Sequence, residues 1–361
     1  MKILLKTFLI IGIISSCFST SAQTNENIES ERLSVLYSGE ADFVQFQMFE
    51  GLTEDLKQDS ITGDFKGVLE IPNLNDAIFT YDIVVYKKDS LDQMIELVPK
   101  GNSIKLNQNN AIVEGDKFLW KGKNRNKNYL ENKDLKGKII SKKISSKYLL
   151  EEREITVYTP EKVNSKIPHI YFTDGSVVEN YAPYIDYLIS INKIKPIKLI
   201  GIHSSPSNRH QEYVEGYENN VLFKRHQDFF YKEVIDSIEN KIENWEGERY
   251  LFGFSNGSAF CIHAGLNNPT IFKEIIAFST SDYISPFAQS INPIKFKFDK
   301  YPIFYIGAGK YETSILKDNI EFLEDMKNNG IQFNFIEFIS GHDYNVWRIE
   351  FLNYLEEHFE K

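Results

Sequence analysis

The sequence contains little cysteine and no long hydrophobic run after its N-terminal segment. Only two of its 361 residues are cysteines, Cys17 and Cys261, which excludes a framework of several disulfides. No later segment approaches the roughly 20 apolar residues that a membrane-spanning helix requires, so we expect no transmembrane segment in the mature chain. The chain also lacks an excess of positive charge, because its 51 Asp and Glu residues outnumber its 41 Lys and Arg residues and give a formal net charge of −10. A phosphate-binding surface needs concentrated positive charge, and we therefore expect no nucleic-acid partner.

The N-terminal segment predicts export. Residues 1–15 read MKILLKTFLIIGIIS, in which Lys2 and Lys6 accompany an apolar run that is too short to span a bilayer permanently. Small residues follow, and cleavage after Ala22 would make residues 1–22 a signal peptide. In an alternative interpretation, the residues before Cys17 resemble a bacterial lipobox, and Cys17 would carry a lipid anchor. Both interpretations predict an exported protein, either periplasmic or secreted, and the second predicts a lipoprotein.

The pattern of apolar residues divides the rest of the chain into two domains. Short or alternating apolar runs such as FVQFQMF and IFTYDIVVY are separated by turn-rich pieces in the first part, which predicts a small antiparallel β-sandwich over residues 30–135. Over residues 140–361, apolar runs alternate with segments of helical periodicity. This alternation predicts an α/β domain with a mainly parallel sheet that is covered by helices.

The predicted elements of the second domain can be placed along the sequence. The strands are REITVYTP, HIYFTDG, IKLIGIHS, RYLFGFS, KEIIAFSTS, YPIFYIGAG and FNFIEFISGH. The helices are expected over residues 184–192, 223–244, 257–266, 315–328 and 345–359.

A basic segment lies between the two domains. Residues 121–147 contain ten Lys or Arg residues, and Glu131 and Asp134 are the only acidic ones. We interpret this segment as a solvated, extended linker, with an anion-binding patch as the alternative.

A GxSxG pentapeptide marks the strongest candidate for chemistry. Residues 253–257 read GFSNG and lie between the apolar run RYLFGF and the helical run SAFCIHAGL. This is the strand, sharp turn and helix in which a serine nucleophile is presented, so Ser255 is the predicted nucleophile. Cys261 follows on the same helix and is expected to be a small buried side chain.

A serine hydroxyl needs a base and a group that orients the base. In enzymes with such a turn the chain order is serine, acid, histidine, and only His263, His342 and His358 follow Ser255. His342 is the predicted base because it lies in a loop after a strand, whereas the other two lie on helices. The loop after YPIFYIG contains one carboxylate, Glu312, which is the predicted acid. Asp282, after the preceding strand, is the rival.

Backbone amides must stabilise the negative charge that develops on the ester oxygen. The predicted donors are the amide of Asn256 and that of Gly175, in the loop after HIYFT, where glycine lets the backbone approach closely. We expect Asp343 to begin the last helix rather than to act in catalysis. We expect Arg209 to pair with Glu212 or Glu215, with contact to an anionic substrate group as the alternative.

These motifs resemble the putative-esterase family of α/β-hydrolases, which includes enterochelin and feruloyl esterases. Besides GFSNG, the likeness rests on KISSKYLLEEREITVYTP, YFTDG, IGIHSSPSNRHQEYVEG and GHDYNVWRIEF, and it covers residues 140–361. It implies an α/β-hydrolase fold in which Ser255, Glu312 and His342 form a catalytic triad. Asn256 differs from the methionine or glutamine common beside the serine in several branches. Family members often carry an N-terminal β-sandwich that resembles a carbohydrate-binding or early-set immunoglobulin-like module.

The resulting hypothesis is an exported serine esterase that needs neither a metal nor an organic cofactor. Its substrate would be a small-molecule or carbohydrate ester, either a siderophore ester or an acylated polysaccharide. Two alternatives remain open. The first is a catalytically inactive protein that binds a glycan or a partner on an esterase scaffold, and the second is an acyltransferase that uses the same triad.

Overall fold

A computed structural model describes residues 30–89, 93–97, 104–106, 111–114, 117–125, 134–216, 220–239, 245–281 and 300–361. The predicted signal peptide, the lipid-anchor position Cys17 and the rival acid Asp282 lie outside these residues. No helix within the described ranges is long and apolar enough to cross a membrane.

The N-terminal domain is a β-sandwich, as predicted. Its described strands are β1 Ser30–Tyr37, β2 Phe43–Gln47, β3 Thr53–Asp55, β4 Lys57–Gln58, β5 Phe65–Pro72, β6 Ile78–Lys88, β7 Met94–Leu97, β8 Ile104–Leu106, β9 Ala111–Glu114 and β10 Lys117–Lys121. One sheet has the order β4-β5-β1-β8, and the other has the order β3-β2-β6-β10-β9 with β7 also beside β6. Successive side chains of a strand point to opposite faces, so Val44 and Phe46 of β2 enter the core together.

The second domain contains one sheet of eight strands. They are β11 Lys138–Ser146, β12 Glu151–Thr159, β13 His169–Phe172, β14 Lys198–Ile202, β15 Arg249–Phe254, β16 Glu274–Phe278, β17 Ile303–Gly309 and β18 Phe333–Phe338. Their order is β11-β12-β14-β13-β15-β16-β17-β18. In this order, every pair of neighbours from β14 to β18 is parallel. The pairs β11–β12 and β12–β14 are antiparallel. This is the predicted α/β-hydrolase fold with a mainly parallel sheet.

Helices cover both faces of this sheet. They are α1 Val178–Ser190, α2 Arg209–Tyr213, α3 Val221–Phe229, α4 Ile235–Glu239, α5 Asn256–Asn267, α6 Thr313–Asn328 and α7 Tyr344–His358. Helices α1 and α7 contribute to one hydrophobic core and α3 to α6 to the other. The central strands are therefore buried on both sides, which explains their continuous apolar sequences.

Two predictions about elements need correction. The predicted helix over residues 223–244 is interrupted, because Phe230–Val234 forms a π-helical segment between α3 and α4. The basic segment is not simply a linker, since its last part is β11, paired along its whole length with β12. Lys138 and Lys143 lie exposed on this edge strand, where lysine discourages pairing with another chain. The apolar pattern of β11 is weak because one edge is open to water.

Candidate active site

Ser255 lies in a strained turn at the end of β15. Its backbone has φ 55° and ψ −132°, a conformation that costs free energy for a residue with a side chain and is concentrated at functional sites. The Ser255 amide donates to the carbonyl of Phe278 at 2.9 Å, which ties the turn to the end of β16. A Cβ at Gly253 would lie 2.6 Å from the Gly257 carbonyl oxygen. The first glycine of GFSNG is therefore required by the close approach of α5 to β15.

Glu312 and His342 form a hydrogen-bonded pair, as their predicted roles require. His342 Nδ1 lies 2.5 Å from Glu312 Oε1, and the Glu312 side chain is fully buried. The other oxygen, Oε2, accepts hydrogen bonds from the Gly309 amide at 2.5 Å and from Ser279 Oγ at 2.8 Å. Because a carboxylate only accepts, the pair assigns the proton to Nδ1 and leaves Nε2 of His342 as the basic nitrogen.

An aromatic cluster connects the serine turn to the histidine. Phe254 stacks on Trp347 with 4.6 Å between ring centroids, and Trp347 meets the His342 ring edge-on at 4.7 Å. Trp347 Nε1 also donates to Ser279 Oγ at 2.8 Å, the same hydroxyl that donates to Glu312. The ends of β15, β16, β17 and β18 thus contribute to one site, at the carboxyl edge where parallel sheets place functional groups.

The Ser255 hydroxyl does not bond to His342 in this structure. It donates instead to the side-chain Oδ1 of Asn256 at 3.2 Å. That oxygen also lies 3.4 Å from Arg209 Nη1, and the Asn256 Nδ2 group donates to His210 Nδ1 at 3.2 Å. Burial, and to a smaller extent the charge of Arg209, lowers the pKa of His210, which favours the neutral acceptor form. The structure therefore brings the acid and base together and holds the serine in a separate polar contact.

The two predicted oxyanion donors lie on adjacent segments. Gly175 begins a 3₁₀ turn directly after β13 and is buried against β14, where a Cβ would lie 2.6 Å from the Gly201 carbonyl carbon. The preceding residues, Thr173 and Asp174, pack against Gly257 of α5. Within the part of the chain that the structure describes, the amides of Gly175 and Asn256 have no hydrogen-bond acceptor. Both amides are therefore available to a ligand.

The predicted partner of Arg209 is wrong. Arg209 forms a bidentate ion pair with Asp174, at 2.6 Å from Nε to Oδ1 and 2.8 Å from Nη2 to Oδ2. Burial alone would lower the pKa of Arg209, but its hydrogen bonds and proximity to Asp174 outweigh this and raise it. Glu212 instead accepts two hydrogen bonds from Arg153, and Glu215 lies 3.4 Å from His263. Proximity in the sequence favoured Glu212 and Glu215, whereas the fold places Asp174 opposite Arg209.

Other predictions are confirmed. Asp343 caps α7, since its Oδ1 accepts from the Asn345 amide at 2.7 Å. Cys261 is fully buried on α5, and burial raises the pKa of its thiol well above the ordinary value.

Several site residues were missed by sequence reasoning. Ser279 and Trp347 support the acid and base, and two exposed aromatic side chains border the site. Phe49, from the sandwich, lies 5.6 Å from the His342 ring and is 63% exposed, and Tyr344 packs edge-on against Phe254 at 5.2 Å. Trp347 could have been found because it is in the GHDYNVW segment. Nothing in the sequence distinguishes Ser279 or Phe49 from neighbouring residues.

One family model matches part of the second domain. Residues 146–301 match the family model described as putative esterase. The matched span contains Gly175 and Ser255 and ends before Glu312 and His342. No curated protein matches the sequence significantly.

Solved structures match over most of the chain. A ferric enterobactin esterase from Salmonella typhimurium is 12% identical, with 90% of this chain and 92% of that chain covered and a TM-score of 0.65. An enterobactin esterase from Shigella flexneri, solved in the presence of enterobactin, is also 12% identical, with 91% and 94% covered and a TM-score of 0.67. An IroE-like serine hydrolase from Shewanella oneidensis is 20% identical, with 62% and 80% covered and a TM-score of 0.53.

Similarities at these identities establish the fold, and the family match adds the class of activity. The fold is that of α/β-hydrolase esterases preceded by an antiparallel sheet domain. The resemblance to the putative-esterase family of α/β-hydrolases is thereby confirmed, and the comparisons together support an esterase, a hydrolase of ester bonds.

Proposed function

We propose that the protein is an exported serine esterase that cleaves a carboxylic ester through an acyl-enzyme. The observation that carries this proposal is the buried Glu312–His342 pair at the same sheet edge as the strained Ser255 turn. A serine hydroxyl is a weak nucleophile at neutral pH, and a histidine oriented by a buried carboxylate supplies the general base that it needs.

In the proposed acylation step, the Ser255 hydroxyl leaves Asn256 Oδ1 and turns toward His342 Nε2. Nε2 takes the hydroxyl proton while Oγ forms a bond to the ester carbonyl carbon. The resulting imidazolium keeps its Nδ1 proton in the 2.5 Å hydrogen bond with Glu312. The carbonyl oxygen becomes negatively charged, and the amides of Asn256 and Gly175 are the proposed donors to it.

Collapse of this intermediate breaks the bond between the carbonyl carbon and the alcohol oxygen. His342 gives its Nε2 proton to that oxygen, and the alcohol leaves while the acyl group stays on Ser255. A water molecule then attacks the acyl carbonyl carbon as His342 removes one of its protons. Return of the proton to Ser255 Oγ releases the carboxylic acid and restores the enzyme.

The two-domain organisation bears on the substrate. The enterobactin esterases match over 90% or more of both chains, including the N-terminal domain, whereas the IroE-like hydrolase matches only 62% of this chain. This shared organisation favours a siderophore ester as the first substrate to test, with an acylated carbohydrate second. Export rests on the N-terminal segment, with a lipid anchor at Cys17 as its alternative form, and cell fractionation of the tagged protein tests both.

A fluorophosphonate probe tests the proposed nucleophile. Such probes form a covalent bond only with an activated serine, so we expect labelling of the wild type and none of Ser255→Ala. Ser190→Ala, at the end of α1, is the matched control and should be labelled like the wild type. An inert wild type, or equal labelling of Ser255→Ala, would overturn the assignment.

A hydrolysis panel tests the substrate class. It should contain ferric and iron-free catecholate triesters, feruloylated and acetylated sugars, and short aryl esters. The proposal predicts the highest kcat/KM on the catecholate triesters or on the acylated sugars, with every activity lost in Ser255→Ala. Highest activity on the simple aryl esters alone would contradict both substrate classes.

The contact between Ser255 and Asn256 favours a second candidate, in which the protein binds a ligand without turnover. A serine held by Asn256 Oδ1 is not activated by His342. Absence of labelling and of hydrolysis in the wild type, with retained binding of an ester from the panel, would support this candidate. Pre-steady-state acid or alcohol release would exclude it.

A further inference from the structure

We propose that the N-terminal sandwich positions the acid and the base of the site, with Thr80 and Tyr311 as positioning residues. Two loops carry these groups. The acid loop comprises residues 310–312 after β17, and the histidine loop comprises residues 339–343 between β18 and α7. The inference rests on the proposed serine-esterase function, and it concerns how that function is held in place.

Tyr311 joins the acid loop to the sandwich. It immediately precedes Glu312, yet its side chain is only 8% exposed and packs in the hydrophobic core of the other domain. Its ring meets Phe79 edge-on at 5.8 Å, and its hydroxyl donates to the Pro72 carbonyl at 2.5 Å. The position of Glu312 is therefore coupled to the sandwich through the adjacent residue.

Asp343 joins the histidine loop to the same domain. It immediately follows His342 and is 2% exposed. Its Oδ2 accepts two hydrogen bonds from Thr80 of β6, one from the amide at 2.6 Å and one from the hydroxyl. Because Oδ1 caps α7, the Asp343 carboxylate is bound to both the helix and the sandwich. The chain directly after His342 is thereby held in place. A buried carboxylate with several donors is a strong anchor.

Further contacts make the two loops one unit under the sandwich. The Tyr311 amide donates to the Ser340 carbonyl at 2.9 Å, and the Ile78 amide of β6 donates to the Ile339 carbonyl at 3.2 Å. Gly341 lies beneath Met48, since a Cβ at this glycine would lie 2.7 Å from the methionine sulfur. Displacement of the sandwich surface would therefore move the acid and the base together.

The catalytic consequence follows from the demands of general-base catalysis. A misplacement of about 1 Å in a catalytic group can cost up to 100-fold in rate, even when substrate binding is unchanged. Weakening the anchors should therefore lower kcat more than it raises KM. A purely structural role would instead lower the stability of the sandwich and leave kcat unchanged well below the melting temperature.

The test compares Thr80→Val, Tyr311→Phe and the double variant with the wild type. Both substitutions keep the side-chain shape and remove one hydroxyl donor. We expect each to lower kcat about tenfold with KM within about twofold, and the double variant to lose more than either. Thr80→Ser keeps the donor and should restore kcat to within about twofold of the wild type.

A spectroscopic measurement distinguishes a change in the position of His342 from a general loss of protein stability. The Nδ1 proton of His342, in its short hydrogen bond to Glu312, should give a far-downfield proton NMR signal that His342→Gln removes. In Thr80→Val and Tyr311→Phe this signal should move upfield or exchange faster with water. Wild-type kcat together with an unchanged signal in both variants would overturn the inference.

A control variant weakens the sandwich without touching either loop. Val35 is buried in the sandwich core, so Val35→Ala should lower the melting temperature and leave kcat and the downfield signal unchanged. A loss of kcat in Val35→Ala as large as that in Thr80→Val would also overturn the inference. Failure of the proposed function is distinguishable, because the wild type itself would then show neither labelling nor hydrolysis.

Discussion

The two halves of the candidate site are held in different ways. Every hydrogen bond within the described residues to Ser255, Asn256 or Asp174 comes from the hydrolase domain. The half that contains Glu312 and His342 is anchored to the sandwich through the neighbouring residues Tyr311 and Asp343.

This difference explains why the sequence reveals the contacts that hold the serine turn but not those that hold the acid and the base. The serine turn is a local structure, made by a strand, two glycines and a helix start that are contiguous in the chain. The acid and base are 30 residues apart in the sequence. The sandwich contacts of their neighbours Tyr311 and Asp343 join residues that are 239 and 263 positions apart. Substitutions that remove the shared chemistry should have the largest effects on activity. Smaller effects on activity or stability should distinguish the two halves.

The largest expected effect is that of His342→Ala. Loss of the general base should lower kcat by about three orders of magnitude or more, with folding intact, because the substitution removes the proton acceptor of the serine. Steady-state hydrolysis of the best panel substrate measures it. His358→Ala, in the last turn of α7, is the control and should retain activity. Near-normal turnover of His342→Ala would remove this residue from the mechanism.

Glu312→Gln should have the next largest effect. The amide can no longer stabilise the imidazolium by charge, so we expect kcat to fall by about two to three orders of magnitude. Asp282→Asn is the informative comparison, because Asp282 is the rival from the sequence. The account predicts little change in this variant. A larger loss in Asp282→Asn than in Glu312→Gln would transfer the role of the acid.

Acidification should lower the stability of the hydrolase domain, which contains the serine, before it lowers that of the sandwich. Burial lowers the pKa of His226 from 6.5 to about 4, outweighing the nearby Glu212 charge, while Arg153 acts in the same direction as burial. The unfolded chain therefore binds more protons between these values. The contribution of neutral His226 to the free energy of unfolding is complete above pH 6.5. It is lost as the pH falls towards 4, at about 1.4 kcal/mol per pH unit.

Urea unfolding at several pH values measures this loss. His226→Phe keeps a ring against Tyr213 and Phe260 and cannot titrate, so its stability should fall less steeply with acid. The difference between wild type and variant should reach roughly 3 kcal/mol by pH 4. Hydrogen exchange should show the early loss of protection in the hydrolase domain. Parallel pH dependences of the two proteins would contradict the assignment.

Ser279→Ala should have the smallest effect of the four. It removes the hydroxyl that donates to Glu312 and accepts from Trp347, and it leaves a buried indole donor unpaired. We expect a loss of about 1–3 kcal/mol in stability and of about tenfold or less in kcat. Thermal unfolding and steady-state kinetics measure the two effects, with Ser190→Ala as control. Full stability in Ser279→Ala would show that these contacts carry little free energy.

The sequence predicted most of the fold because buried strands and amphipathic helices have strong apolar patterns. All seven predicted strands of the hydrolase domain are present. The edge strand β11 falls in the predicted linker because its exposed lysines, Lys138 and Lys143, hide its apolar pattern. Chain order and loop position identified His342 and Glu312 as neighbours. The Arg209–Asp174 pair and the contacts from Thr80 and Phe49 could not be predicted, because they join segments whose proximity exists only in the folded protein.

The most direct test of the account is the mass of the trapped acyl-enzyme. The enzyme should be mixed with a slowly hydrolysed ester, quenched in acid and measured by intact-mass and peptide mass spectrometry. The account predicts a mass increase equal to the acyl group, located on Ser255, that accumulates and then decays as the acid is released. An adduct on another residue, an adduct that persists in Ser255→Ala, or product release in that variant at the wild-type rate would contradict it.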